Sequence, residues 1–229
     1  AKKFLARVVA DGKDVCFVGT KRQARSVIEQ RVGDVKMHYC VERWLGGTLT
    51  NFRTIRSRLK RLEELEAIQE RDNFASYSKK MESQLRREMM KMKRNLDGIR
   101  RMDKLPGVIV VIDTKREMNA LLEARKLGIP TVCLIDSDGD PEMADIPIPG
   151  NDDSMRSIDV IIRELCLAIA EGKQQRQSKE QGAAAAAGAQ GGPRRSTRAQ
   201  FKADGGDANL MPEEQLASAS APAAPAKPN

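Results

Sequence analysis

Arg43-Trp44-Leu45-Gly46-Gly47-Thr48-Leu49-Thr50-Asn51-Phe52 is the stretch on which the reading of this chain turns. It holds the only tryptophan, two adjacent glycines and, in Thr50 or Asn51, a helix-start signal. Before it the residues follow a strand-helix-strand pattern. After it comes strongly basic sequence of helical period, and strands resume at Gly107. The expectation is an α/β domain with an inserted helical arm: residues 1–52 and 105–173 form the domain, 53–104 the arm, and 174–229 a disordered tail rich in Ala, Gly and Pro. Trp44, Gly46 and Gly47 are expected to fix the junction, because the glycines permit a tight turn and the indole packs on the domain.

Outside the arm, the pattern predicts the end of a helix up to Ala10, a short apolar strand at Val15–Val18 and a helix opened by Gly19 and Thr20. A second strand is predicted over Lys36–Val41. The run Val108–Ile112 is continuously apolar, which suits a parallel strand covered on both faces. A helix follows with Met118, Leu121, Leu122 and Leu127, stopping at Gly128 with Pro130 beyond, and then a strand at Thr131–Ile135. Ile146–Pro149 reads as an edge strand, where proline is tolerated. A last helix, capped from Asn151–Ser154, is expected to end at Gly172. The fold class is therefore α/β, a mainly parallel sheet flanked by helices in Rossmann-like or flavodoxin-like layers, with right-handed crossovers.

Within the arm, Ile55, Leu59, Leu62 and Leu65 form one apolar stripe and Met81, Leu85, Met89, Met92, Leu96 and Ile99 another. Two such helices predict an antiparallel hairpin with a coiled-coil seam. The segment Arg53–Lys104 carries 16 basic and 9 acidic residues, so most of the chain's net +8 resides there. Basic pairs recur every seven residues, at Lys79/Lys80, Arg86/Arg87, Lys93/Arg94 and Arg100/Arg101. A face dominated by one sign suggests phosphates rather than solvation alone. Candidate phosphate contacts are Lys21, Arg22, Arg25, Arg43, Arg53, Arg56, Lys60, Arg86, Lys93, Arg94 and Arg100.

Other chemistries find little support. Cys16, Cys40, Cys133 and Cys166 are far apart among apolar residues and read as buried free thiols, not as a zinc site or a disulfide. His38 is the only histidine, and no nucleophile accompanies it. Asp136–Glu142 has a broken EF-hand order and reads as an acidic turn. No cofactor or metal is expected. No run approaches the ~18 apolar residues of a membrane span, so a soluble, cytoplasmic protein is expected. Two other readings stay open. One is a phosphate- or nucleotide-binding α/β enzyme using the Gly19–Lys21 turn with Asp113 and Asp136. The other is a coiled-coil adaptor for acidic proteins.

Several stretches together resemble one family, the second protein of the small ribosomal subunit (the S-two family) in its bacterial or organellar form. They are Phe17–Lys21, Arg43–Asn51, Leu127–Pro130, Asp140–Pro141 and Ile148–Asp153, in this order and spacing. The resemblance implies a parallel α/β domain with a protruding helical hairpin and no catalysis. It implies small-subunit ribosomal RNA and other small-subunit proteins as partners, among them the large mRNA-binding first protein of the bacterial small subunit. The location implied is the ribosome, or that of an organellar stroma or matrix. Family members begin earlier, with a glycine- and histidine-containing segment and a first strand, so a neighbour of the sheet is expected to be missing from these residues. The low aromatic content, 3%, fits phosphate and shape contacts better than base stacking.

Overall fold

The computed structural model describes residues 1–75 and 77–189, with side chains up to 179. Five strands form one sheet: β1 (Val15–Val18), β2 (His38–Cys40), β3 (Val108–Ile112), β4 (Thr131–Ile135) and β5 (Ile146–Pro149). Their order is β2-β1-β3-β4-β5, and all four neighbouring pairs are parallel. Among the described residues six α-helices accompany them: α1 (Lys2–Ala10), α2 (Arg22–Asp34), α3 (Phe52–Asp72), α4 (Lys79–Leu96), α5 (Met118–Leu127) and α6 (Met155–Ala189).

The strands are short and apolar throughout because both sheet faces are covered. Alternate side chains point to opposite faces. Val15, Phe17, Val108, Val110, Ile112, Val132 and Leu134 meet Leu5 and Val9 of α1, Val27 and Ile28 of α2, and Ile158, Ile162 and Leu165 of α6. Cys16, Val18, Ile109, Val111 and Cys133 meet Trp44, Leu49 and Ala120, Leu121 and Ala124 of α5, in a cluster continuous with the apolar stripes of α3 and α4.

Each sheet edge is protected by a different device. All four β5 residues are in register with β4, every second one a proline (Pro147 and Pro149), and Gly150 just beyond donates its N–H to Ile135. Pro147 and Pro149 therefore leave the outer edge without N–H donors. On the other side a 3-10 turn over Asp97–Ile99 lies against β2. A Cβ on Gly98 would sit only 2.2 Å from the Tyr39 carbonyl oxygen, so only glycine permits this approach.

Buried Ile55, Leu59, Leu62 and Leu65 of α3 face buried Leu85, Met89, Met92 and Leu96 of α4. Side-chain contacts link the start of α3 to the segment after α4, Arg56 to Asp103, and the end of α3 to α4, Asn73 to Arg86. Met81 departs from the expected stripe and is 45% exposed. Fully buried Phe74 closes that end of the seam instead, in a turn where Asn73 and Phe74 both have positive φ.

Gly172 does not end the last helix. It is buried where α6 crosses α1, and a Cβ there would lie 2.5 Å from the Ala6 carbonyl oxygen. The glycine serves close packing, and the Ala- and Gln-rich residues beyond it carry the helix to Ala189. That places residues 174–189, expected in the tail, within α6. The remaining tail residues, with the basic cluster Arg194, Arg195 and Arg198, lie outside the described residues.

Candidate nucleic-acid interface

The Arg43–Phe52 segment is organised by a residue from elsewhere in the chain. The Glu123 carboxylate of α5 accepts from the Trp44 indole N–H (3.1 Å), the Gly47 N–H (2.8 Å), the Leu49 N–H (2.9 Å) and both the N–H and hydroxyl of Thr50 (3.1 and 3.2 Å). Burial pushes its pKa up, but the N–H groups of Thr50, Leu49 and Gly47 and the indole outweigh this, and the net shift is downward. A carboxylate just before α3 also suits the positive end of that helix. Gly47 has φ +88°, so the turn requires it, whereas Gly46 has open space around it. Trp44 is 7% exposed. Nothing in the sequence singled out Glu123. It sits on α5 beside the fully buried Ala120 and Ala124, small residues that let the segment approach the helix.

The eleven candidate phosphate contacts are not equivalent. Lys21 is turned inward, its side chain 13% exposed, with its ammonium 2.6 Å from Asp152, 2.5 Å from Asp153 and 3.7 Å from Asp113. It holds the loops at the C-terminal ends of the strands together and is not presented to a ligand. Arg56 donates to the Met102 carbonyl and to Asp103, clamping the base of the helix pair. Arg86 is bonded to Glu82 and Asn73 and lies 5.7 Å over the Phe74 ring.

Arg100 reaches Glu66 of α3 at 2.6 Å. The pairs divide unevenly: of their first members Arg86 and Arg100 are partly covered while Lys79 and Lys93 are exposed, and Arg100 faces α3 from the turn beyond the end of α4. The second members Lys80, Arg87, Arg94 and Arg101 stay exposed.

Arg22, Arg43, Arg53 and Lys60 are exposed and form no ion pair among the described residues. Arg43 lines a groove with Arg25 of α2 and Lys91, Lys93 and Arg94 of α4, where Glu42 is the one acid among the described residues. Glu42 bridges two of these cations: Arg25 at 3.1 Å and Arg94 at 2.8 and 2.6 Å. Arg94 first, and Arg25 with it, holds its carboxyl below the usual range. Lys91 was not singled out in the sequence because it lies outside the heptad pairs. The groove thus collects cations from three chain segments and orients two of them through one carboxylate.

The Gly19–Lys21 turn has a different character. The N–H of Thr20, which a phosphate would need, donates to buried Glu117 at 2.8 Å, as does its hydroxyl. Ile28 fills the space beside Gly19. Asp113 accepts from the Arg116 N–H, and Asp136 from the N–H groups of Ser137 and Asp152. These acids tie down loops, as acids at strand ends commonly do. Asp136, Asp152 and Asp153 lie close together, with the Lys21 ammonium as their counter-charge.

The profile of ribosomal protein S2 matches residues 1–172 of this chain, which contain the whole sheet and the cationic groove. The chain belongs to the ribosomal protein S2 family. A relative named small ribosomal subunit protein uS2 from Rhodopirellula baltica is 55% identical over 179 residues, 78% of this chain and 69% of its own length. Its counterpart in Picosynechococcus is 47% identical over 173 residues, 76% of this chain and 68% of the relative. A relative named uS2c from Rhodomonas salina is 46% identical over 178 residues, 78% and 73%. The S2 family is structural and non-enzymatic, which removes the nucleotide-dependent enzyme reading and agrees with the occupied turn at Thr20. No helix among the described residues is long and apolar enough to cross a membrane.

Proposed function

We propose that this S2-family chain acts as a structural protein of the small ribosomal subunit, holding ribosomal RNA through the cationic groove and the exposed face of α4. The groove carries the reading: Arg25, Arg43, Lys91, Lys93 and Arg94 converge from three segments around Glu42. Convergence of one sign of charge from distant parts of a chain fits a polyanion, and pre-oriented guanidiniums suit phosphate oxygens. In this reading residues 53–104 serve as the RNA-binding arm, with Lys80, Arg87 and Arg101 extending the contact surface and Arg22, Arg53 and Lys60 adding to it. The Glu123-bound segment sets how that arm leaves the domain. Lys21, Arg56, Arg86 and Arg100 support the surface from within. Other small-subunit proteins, including the large mRNA-binding first protein, complete its surroundings.

The test is sedimentation of the tagged chain with small-subunit RNA through a sucrose gradient at moderate and high salt, beside the triple variant Arg43→Gln, Lys91→Gln and Lys93→Gln. Co-migration that salt weakens, and that the folded variant loses, is expected from counterion release. Co-migration of the variant at wild-type level would move the contact elsewhere.

A further inference from the structure

We propose that the cationic groove is one end of a longer track that takes a single RNA strand along the outer side of β2. This rests on the RNA-binding reading above and specifies the form of RNA. The groove does not stop at Arg94. It shares Glu42, Lys93, Arg94 and Asn95 with a second concavity, and that one shares Tyr39, Asp97 and Gly98 with a third, bounded by Lys36, His38, Arg100 and Arg101. One wall is formed by α2 and the backbone of β2 with its flanking residues. The other is α4 and the turn after it.

The track is charged at both ends. Arg43 and Lys91 at one end, and Lys36 and Arg101 at the other, are exposed and free of ion pairs among the described residues. Of the acids along it, Glu42 is paired with Arg25 and Arg94 and Asp97 lies 3.9 Å from Arg100, while Glu29, exposed at the middle concavity, has no ion-pair partner among the described residues. At its waist Gly98 packs directly on Tyr39, and the strand crosses over this contact, which stays low because residue 98 has no side chain. A Cβ there would lie 2.5 and 2.7 Å from atoms of the Tyr39 ring. Tyr39 is only partly buried and supplies a ring at the waist on which a base can stack.

Dimensions favour one strand. Helical rise carries the wall ~7.5 Å from Lys91 to the end of α4 at Leu96, and the 3-10 turn over Asp97–Ile99 adds ~6 Å toward Arg101. A stacked strand advances ~3.4 Å per nucleotide, so about four nucleotides span the two ends. A duplex presents its phosphates on a convex surface and would rest on the rims, leaving the waist empty.

Fluorescence anisotropy of the full chain with a labelled, unstructured ten-nucleotide RNA and with a blunt ten-base-pair RNA duplex, over a salt series, tests this. The single strand is expected to bind about tenfold more tightly than the duplex. Arg43→Gln with Lys91→Gln, and separately Lys36→Gln with Arg101→Gln, should each weaken the single strand about tenfold and lower its salt slope by about 1.4. Lys115→Gln with Lys126→Gln, exposed residues outside the track, should leave it unchanged. Equal affinity for strand and duplex, or sensitivity at one end alone, overturns the track and leaves the RNA-binding reading standing. Failure to bind either RNA at any salt overturns both.

Discussion

Replacing Glu123 by glutamine tests whether one carboxylate organises the segment between domain and helix pair. The substitution keeps shape but removes the charge, and it turns one acceptor oxygen into an NH2 group. Five donated hydrogen bonds end on the two carboxylate oxygens, with the Trp44 and Gly47 N–H groups on Oε1 and the Leu49 and Thr50 donors on Oε2. Whichever way the amide turns, at least two N–H groups face another donor. Leaving a buried donor unsatisfied costs about 1–3 kcal/mol, and hydrogen bonds to a charged acceptor contribute about 1.5–3 kcal/mol each. The site is partly exposed and water can replace some of this, so the expected loss is about 3 kcal/mol.

For a chain of this size that corresponds to a fall in Tm of roughly 6–12 °C. Trp44 is the only tryptophan and bonds directly to Glu123, so urea unfolding followed by its fluorescence reads global stability and this site together. The pH dependence adds a sign. The folded-state pKa of Glu123 is depressed, so its contribution is fully present above the unfolded value, near 4.3, and is lost as the pH falls through the folded value. The gap between wild type and Glu123→Gln should therefore close toward acid. A gap below about 0.5 kcal/mol at neutral pH, or one independent of pH, would refute the assignment.

Other consequences follow from the packing. Gly98→Ala forces its methyl into the Tyr39 backbone and ring, and overpacking of this kind costs about 1–3 kcal/mol, measurable as a lower urea midpoint. Lys21→Met leaves Asp113, Asp152 and Asp153 without their ammonium and should cost about 3 kcal/mol near neutral pH by thermal unfolding. Burial already holds Asp152 above its usual pKa, and without Lys21 it protonates more readily, so that deficit should shrink as the pH falls into the acid range. Burial pushes the thiols of Cys40 and Cys133 up to about 12 and that of Cys166 to about 11, and raises Cys16 as well. Iodoacetamide at neutral pH should label none of them in the native chain and all four in urea; rapid native labelling of Cys133 would contradict its full burial.

Much of the architecture was legible in the residue order. Apolar runs such as Val108–Ile112, bounded by Gly107 and Asp113, announce strands covered on both faces, and spacings of three and four mark the stripes of α3 and α4. These are local signals, carried by neighbours within a few residues. The family resemblance, too, could be read from short stretches in order.

What the sequence could not reveal depends on partners distant along the chain. Gly172 has the form of a helix stop, yet α6 continues because the missing side chain makes room for α1. Lys21 looks like a phosphate ligand beside a helix start, but three acids from the ends of other strands enclose it. Of eleven basic candidates, only the tertiary structure separates those facing inward, such as Arg86 and Arg100, from those that converge with Lys91 in a groove. Periodicity assigns a residue to a face of its own helix. Which acid or backbone that face meets is decided by packing, and packing brought Glu123 under Trp44 from 79 residues away.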